Sequence, residues 1–580
     1  MIDLSLENDL RRCFFLPKNK EYVEVKIKIL EFLKKYGEVL FVFFVFILLL
    51  ARNPFSNRTL IANLEPYPDS FHYVDPALNF IKGKGLYIDR GFGKVLPTVP
   101  FLYATSLIPG YLINSDVRMF YFANVLFAFV SLGLFWLILQ EVFSGRRFLR
   151  FFLLFLFATN YIFYWFPELA MAENLLIPLI LGVTFLLILR PSKKTVILIP
   201  LLSVLIYACK FSSLSVAFVS PILLLGRILF YKSEVKGKTT SNEKTDLIRY
   251  FILSTVLCSG IYLLYEFLAR GNNLIYNLIL LFLDIFTQKN VSQAVGSTEK
   301  AYQFFSTQFL YQNGKEYLGW LVGNQMKLLP KQVSILPRFL ALPALVGLFA
   351  GLFTKRKWLS VILLSFIFST IFLMSLFYSA DARYLIVAVP SSILGVGLFL
   401  IWIRESPFKY ARLGYEVLLI VFLLLYCVTQ ASRLKFDVML NLKYAETPWY
   451  YLSVKTADTY LSEHKREFNK EPVIISAIPP YLLDFYAKEN FIVLPLSSRQ
   501  EFATHSQQAW GNYSYADLTG VYQKFFEEGN PIFLMQYGLG DVDYLHVAYD
   551  QVFKDFTLKK VQEGCYSVCD VYQITGVIKK

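Results

Sequence analysis

The sequence predicts an α-helical polytopic membrane protein of about eleven transmembrane helices, with a C-terminal α/β domain outside the bilayer. Three observations carry that reading. Apolar residues make up 56% of the 580 residues and charged residues only 17%, where a soluble chain carries about 25% charged residues. The apolar residues fall into separate stretches of roughly span length. The basic residues gather in alternate connections between those stretches. A mean hydropathy of +0.48 excludes a disordered or collagen-like chain, and six cysteines in 580 residues are too few for a disulfide scaffold.

A span needs about 20 mostly apolar residues. The stretches 36–51, 118–139, 149–166, 170–189, 195–209, 211–230, 250–268, 338–353, 358–378, 384–403 and 413–431 fit that description. The segment 1–35 holds eight Lys or Arg, which places it in the cytoplasm by the positive-inside rule. Its run VEVKIKILEFLKK reads as an amphipathic helix on the inner leaflet. Lys34 and Lys35 precede an uncut first span, and 51–56 offers no small-residue cleavage site, so no cleavable signal is expected. A twelfth apolar stretch, 98–114, is short and broken by Pro100, Pro109 and Gly110.

Charge decides whether 98–114 crosses. If it does not, the inner connections at 146–150, 190–194, 227–249, 355–357 and 404–412 carry three, three, six, three and three basic residues. The outer turns near 167, 210 and 380 then carry none, one and one. If it did cross, every later assignment would invert. The stretch is therefore expected to be an interfacial or re-entrant helix on the outer side, and the C-terminus to lie outside. The predicted cytoplasmic segments hold 26 basic and 10 acidic residues, a net +16 against +14 for the whole chain. The basic excess is thus a topology signal and gives no support to nucleic-acid binding.

Three parts are expected beyond the far side of the bilayer: the loops 52–117 and 269–337, and the tail 432–580, which has the size of a domain. In the tail, 472–478, 491–496 and 531–536 read as buried strands, and 448–465 and 517–528 as helices, which suggests an α/β domain.

Ionisable residues at membrane depth are costly, so those near span ends on one face draw interest. The predicted outer face collects Asp69 and Asp75 in the first loop, Glu168 and Glu173 at the start of a span, Lys210 alone in YACKFSSLS, and Asp381 and Arg383 in FYSADARYLIVAVP. Carboxylates and cations converging there suit proton removal from an attacking hydroxyl and neutralisation of a phosphate leaving group. Each also has a plainer reading. Asp75 before Pro76 suits an N-cap, Lys210 could snorkel, Arg383 could simply pair with Asp381, and Glu173 could cap a helix. GKGLYIDRGFGK fails as a P-loop, since Ile88 stands where the first Gly is needed and Val95 follows Lys94. Cys565 and Cys569 could form a local disulfide or stay as thiols; the other cysteines read as apolar packing. No Cys/His cluster supports zinc.

The stretch EPYPDSFHYVDPALNFIKGKGLY resembles the first extracytoplasmic loop of the GT-C membrane glycosyltransferases, in particular the protein O-mannosyltransferases and the aminoarabinose transferases of lipid A. Their loop opens with Asp-Glu, followed by Tyr, Ala and Gly at spacings met here by Asp69, Tyr73, Ala77 and Gly83. Ser70 stands in place of the Glu, which weakens a metal or second-acid role there. Pro97-Thr-Val-Pro100 replaces the usual Pro-Pro-Leu. MAENLLIPL resembles the acid that begins a later span (Glu173), YACKFSSL the Lys-containing turn (Lys210), and DARYLIVAVP the Arg-Tyr span start (Arg383, Tyr384). The likeness covers roughly 36–431.

The resemblance implies an inverting glycosyltransferase that uses a polyprenyl-phosphate-linked sugar in the membrane lipid, with the acceptor unknown. It makes Asp69 the general base, with Asp75 next in line. It makes Lys210, Arg383 and Tyr384 the donor phosphate site, and it places Tyr73 and His72 among substrate-positioning residues. Glu173 would position the acceptor, or a divalent metal if one is used. It also implies a multi-pass plasma or inner membrane protein whose extracytoplasmic tail recognises acceptor. The competing reading is a transporter or flippase of lipid-linked sugars without transferase chemistry. Transporters favour repeats and midplane polar residues in broken helices, whereas the charges here lie at span ends on one face.

Overall fold

The computed structural model describes residues 36–51, 70–83, 85–89, 94–95, 99–230, 241–270, 306–328, 331–377, 380–442, 449–476, 491–496, 515–535, 547–564 and 569–578. The amphipathic segment 1–35 lies outside the described residues. Helix α1 (Tyr36–Leu50) leads to α2 (Phe71–Ile81), an antiparallel pair of short strands β1 (Ile88–Asp89) and β2 (Lys94–Val95), and α3 (Leu102–Ile113). There follow α4 (Phe120–Val142), α5 (Arg147–Ala158), a short α6 (Tyr161–Trp165), α7 (Glu173–Ile188), α8 (Lys193–Cys209), α9 (Leu214–Leu229) and α10 (Ser241–Arg270). Next come α11 (Leu310–Leu321), the antiparallel strands β3 (Met326–Leu328) and β4 (Lys331–Val333), α12 (Arg338–Ala350), α13 (Lys357–Ser375), α14 (Ala388–Glu405) and α15 (Ala411–Leu442).

A helix occupies each of the eleven apolar stretches. Among the described residues, five helices are long and apolar enough to cross a membrane, and a sixth crossing results if a bent pair counts as one. Five shorter apolar helices accompany them, α3 among them. The bent pair covers the span expected over 149–166: Arg147–Ala158 and Tyr161–Glu168 meet at 48°. Side chains cause the break. The Thr159 hydroxyl donates to the Phe155 carbonyl (2.6 Å), and Asn160 caps α6 by accepting from the Ile162 N–H (3.1 Å). The Asn160 amide also donates to the Ile335 carbonyl (2.8 Å). Such local bonds compete with the helical ladder, and hydropathy does not register them.

Close backbone approach sets the packing of α12 on α14. A Cβ on Gly347 would fall 2.0 Å from the Gly395 carbonyl oxygen, and one on Gly395 would fall 2.5 Å from that of Ala344. Small residues that let backbones meet drive helix association in lipid, where no hydrophobic force distinguishes neighbour from solvent.

The C-terminal part comprises α16 (Trp449–His464), β5 (Val473–Ser476), β6 (Ile492–Pro495), α17 (Tyr515–Glu527), β7 (Ile532–Met535), α18 (Val547–Asp555), β8 (Phe556–Gln562) and β9 (Val571–Val577). One sheet runs β6-β5-β7-β9-β8, parallel across the first three strands and antiparallel at β7–β9 and β9–β8. Both faces are covered. Val473, Ile475, Ile532 and Leu534 pack with Tyr522 of α17 and Val552 of α18, while Ile474 and Phe533 pack with Tyr460 and Leu461 of α16. Burial on both faces explains why β5 and β7 read as unbroken apolar runs. Cys569 is disulfide-bonded; Cys565 lies outside the described residues. Cys209, Cys258 and Cys427 are free.

Candidate functional site

Glu173 is the first residue of α7, where a carboxylate is favoured by the helix dipole. Two buried amides shape the turn before it. The Asn174 amide donates to the carbonyls of Phe166 (3.1 Å), Leu169 (2.9 Å) and Met171 (3.0 Å). The Asn124 amide donates to those of Pro167 (3.1 Å) and Leu169 (2.8 Å), and its own oxygen accepts from the Tyr103 hydroxyl (2.7 Å). Lys210 ends α8 in extended backbone (φ −156°, ψ 130°). That conformation turns it out of the helix, and its ammonium donates to the Glu173 carboxylate. Glu173 has no exposed surface and Lys210 is 8% exposed, so this is a buried ion pair. The Lys210 ammonium also lies 5.2 Å from the centre of the Tyr384 ring, within reach of a cation–π contact.

The second cation comes from the turn before α14. Asp381 caps a 3-10 turn over Ala382–Leu385 by accepting from the Arg383 N–H (2.8 Å). The Arg383 guanidinium donates to the same carboxylate through Nε (2.8 Å) and Nη2 (2.6 Å), a two-point grip that fixes its plane. The Tyr317 hydroxyl, on α11, accepts from the Asp381 N–H (3.1 Å). Burial pushes that hydroxyl above the usual tyrosine range, so it stays protonated.

Lys210, Arg383 and Tyr384 line one pocket, together with Ser212, Ser213 and Thr370 and the apolar Leu176 and Val387. Two cations and four hydroxyl-bearing side chains around a small, partly apolar cavity are groups able to bind the oxygens of an anion. Each cation carries a carboxylate behind it, Glu173 or Asp381, so the cluster is neutral as built. The hydroxyl residues were not among the candidates, because Ser and Thr in apolar stretches give no sequence signal. Thr370, inside the predicted span 358–378, could be found only from its neighbours. Its hydroxyl lies 3.1 Å from that of Ser215.

Asp69 and the side chain of His72 lie outside the described residues. The chain next to Asp69 is placed: the Ser70 hydroxyl donates to the Met171 sulfur (3.4 Å), two residues before Glu173. Tyr73 is buried with its ring edge-on to Tyr103 (5.2 Å between centres). Asp75 is buried too, but it is no N-cap. The helix begins at Phe71, so Asp75 and Pro76 fall inside α2. Glu168 is buried at the end of the 3-10 turn Phe166–Glu168. Among the described residues no group of three or more His, Cys, Asp or Glu could hold a metal ion.

No family model and no curated protein sequence matches the chain. Two solved structures share its fold. The crystal structure of ArnT from Cupriavidus metallidurans bound to undecaprenyl phosphate matches with a TM-score of 0.56 at 12% identity, over 92% of this chain and 97% of that one. ArnT in the apo state matches with a TM-score of 0.54, again at 12% identity and over the same shares of each chain. The likeness is one of fold. The chain has a polytopic helical, GT-C-like fold, as the loop and turn motifs implied.

Proposed function

We propose that the chain is an inverting glycosyltransferase that moves a sugar from a polyprenyl-phosphate donor to an acceptor on the extracytoplasmic face of the membrane. One observation carries this reading. Lys210, Arg383 and Tyr384, from two places far apart in the chain, line one hydroxyl-bearing pocket. That the structural neighbour ArnT was solved bound to undecaprenyl phosphate agrees with it.

In this reading the Lys210 ammonium and the Arg383 guanidinium take the donor phosphate oxygens. Asp69 accepts the proton of the acceptor hydroxyl as that oxygen attacks the anomeric carbon. The bond to the phosphate oxygen breaks, and the two cations stabilise the charge that develops on it. Glu173 holds the ammonium in place from behind. Only one carboxylate oxygen takes the ammonium; the other is buried without a hydrogen-bond partner among the described residues, so Glu173 also keeps its expected role of positioning the acceptor, or a divalent metal if one is used. The segment 1–35 is cytoplasmic, 36–431 is the catalytic membrane module, and 432–580 is an extracytoplasmic domain that meets the acceptor.

The test is glycan and lipid analysis of a strain lacking the chain beside its parent, with Asp69→Asn returned to the deletion strain. A missing glycosylated product that the native chain restores and Asp69→Asn does not is expected. Identical products in deletion and parent would sink the reading; full rescue by Asp69→Asn would move the base to another residue.

A further inference from the structure

Helix α11 supplies none of the residues that line the pocket, yet it grips the segment that carries Arg383 at two levels. The Asn313 amide donates to the Phe377 carbonyl (2.5 Å) and lies 3.5 Å from that of Ser375. One turn later, the Tyr317 hydroxyl accepts from the Asp381 N–H (3.1 Å) and lies 3.5 Å from the Asp381 carbonyl oxygen. Residues four apart share a helix face, so one face of α11 holds the chain at Ser375, Phe377 and Asp381. Just ahead of the helix, the Ser306 N–H donates to the Leu376 carbonyl (2.7 Å). Both side chains are buried. The Tyr317 ring is braced edge-on by Trp320 at 5.1 Å, and Gly314 leaves a gap at Ser375 that a Cβ would bring to 3.4 Å from its hydroxyl.

From this geometry we infer that Tyr317 and Asn313 are positioning residues for the anion pocket: Asn313 holds the chain at Ser375 and Phe377, Tyr317 holds the Asp381 backbone, Asp381 holds the Arg383 guanidinium, and the guanidinium meets the phosphate. The inference rests on the donor-phosphate reading of the pocket. A long outer loop gains a defined task by it. It sets the place of a cation whose own turn is short and would otherwise be free to shift. Positional precision of this kind decides how much a charged contact contributes, since a guanidinium binds an oxyanion through directed hydrogen bonds.

The test is a double-mutant cycle on the full-length protein in detergent, with undecaprenyl phosphate as probe. Tyr317→Phe removes one oxygen and keeps the ring. It should weaken binding about tenfold, the size of one misplaced charged hydrogen bond. In an Arg383→Ala background the same change should weaken binding less than about twofold, because the cation it positions is gone. In a Lys210→Ala background the tenfold effect should persist. Asn313→Ala should follow the same pattern and carries the cycle if Tyr317→Phe lowers the unfolding midpoint. Equal losses with and without Arg383, or no loss in either background, would overturn the inference and leave the pocket reading standing. Failure of the native protein to bind the probe would overturn the pocket reading, and the inference with it.

Discussion

The ammonium of Lys210 lies against the carboxylate of Glu173, joining the end of α8 to the start of α7 where neither group reaches water freely. Breaking a buried pair leaves an uncompensated charge, whereas replacing both members with apolar groups is often neutral. Lys210→Met and Glu173→Gln each leave one charge of the pair behind, but with different neighbours. The first leaves a buried carboxylate and should cost about 3–5 kcal/mol. The second leaves an amide that can still accept from the ammonium and should cost less. The double variant Glu173→Leu, Lys210→Met should recover most of the loss in thermal unfolding and still fail to bind undecaprenyl phosphate. Recovery of binding as well as stability would show that the pair serves the fold alone.

The pocket cations should act on ligand in a way that stability does not explain. Hydrogen bonds to charged groups contribute about 1.5–3 kcal/mol each. Lys210→Ala and Arg383→Ala should therefore weaken undecaprenyl phosphate about tenfold to a hundredfold apiece. Arg383→Lys should recover little, because one ammonium cannot reproduce both the grip on Asp381 and the contact to phosphate. Equilibrium binding at constant detergent and salt checks both; unchanged affinity in Arg383→Ala would remove it from the site.

The crossing of α12 and α14 gives a stability prediction independent of function. A Cβ on Gly347 would also meet the Phe399 backbone nitrogen at 2.5 Å, so Gly347→Ala must push the helices apart. Overpacking of this kind typically costs about 1–3 kcal/mol. Gly133 on α4 has nothing within 4 Å of its Cβ position. Gly133→Ala should be neutral or stabilising by up to about 1 kcal/mol through helix propensity alone. Unfolding midpoints of the two variants, compared in one detergent, settle the contrast. A Gly347→Ala protein as stable as Gly133→Ala would mean that the helices separate without loss.

The membrane part was legible because a span announces itself by length and apolarity, and because basic residues mark alternate connections. The stretch 98–114 forms α3, a twelve-residue helix with Pro109 inside it. Lys210 and Arg383 were legible because a cation in a short turn between two apolar stretches is conspicuous. What failed to register has a common cause: contacts between residues distant in sequence. The hydroxyls of Ser212, Ser213 and Thr370 become a pocket wall only when the 3-10 turn Phe211–Ser213 meets α13. Tyr317 acquires its role from Asp381, 64 residues away. Strands β8 and β9 escaped because FTLKKVQ shows buried Phe556 followed by mostly part-exposed and exposed positions, with no run or clean alternation to read. Asp75 was misread as a cap because Pro76 usually marks a first turn, whereas α2 had already begun at Phe71.

The C-terminal sheet should be sensitive to alkali. Burial raises the Tyr549 hydroxyl above the ordinary tyrosine range, and Tyr572 and Asp570 add to it. Tyr572 is raised by burial and then by Asp570, and Lys560 by its hydrogen bond to Asp570 (3.0 Å). All three hold their protons more tightly folded than unfolded. Their contribution is thus complete below the unfolded values, near pH 10 for Tyr and Lys, and is lost as pH rises through the folded ones. Lys560 is largely open to solvent, so the buried tyrosines should dominate. Protection of β8 and β9 amides in the full-length protein, corrected for intrinsic exchange, should hold from pH 7 to about 9 and fall above about 10. The pair Tyr549→Phe, Tyr572→Phe should flatten that fall, since neither ring can then lose a proton on unfolding. Protection that falls equally in native and doubly substituted protein would place the alkaline sensitivity elsewhere in the chain.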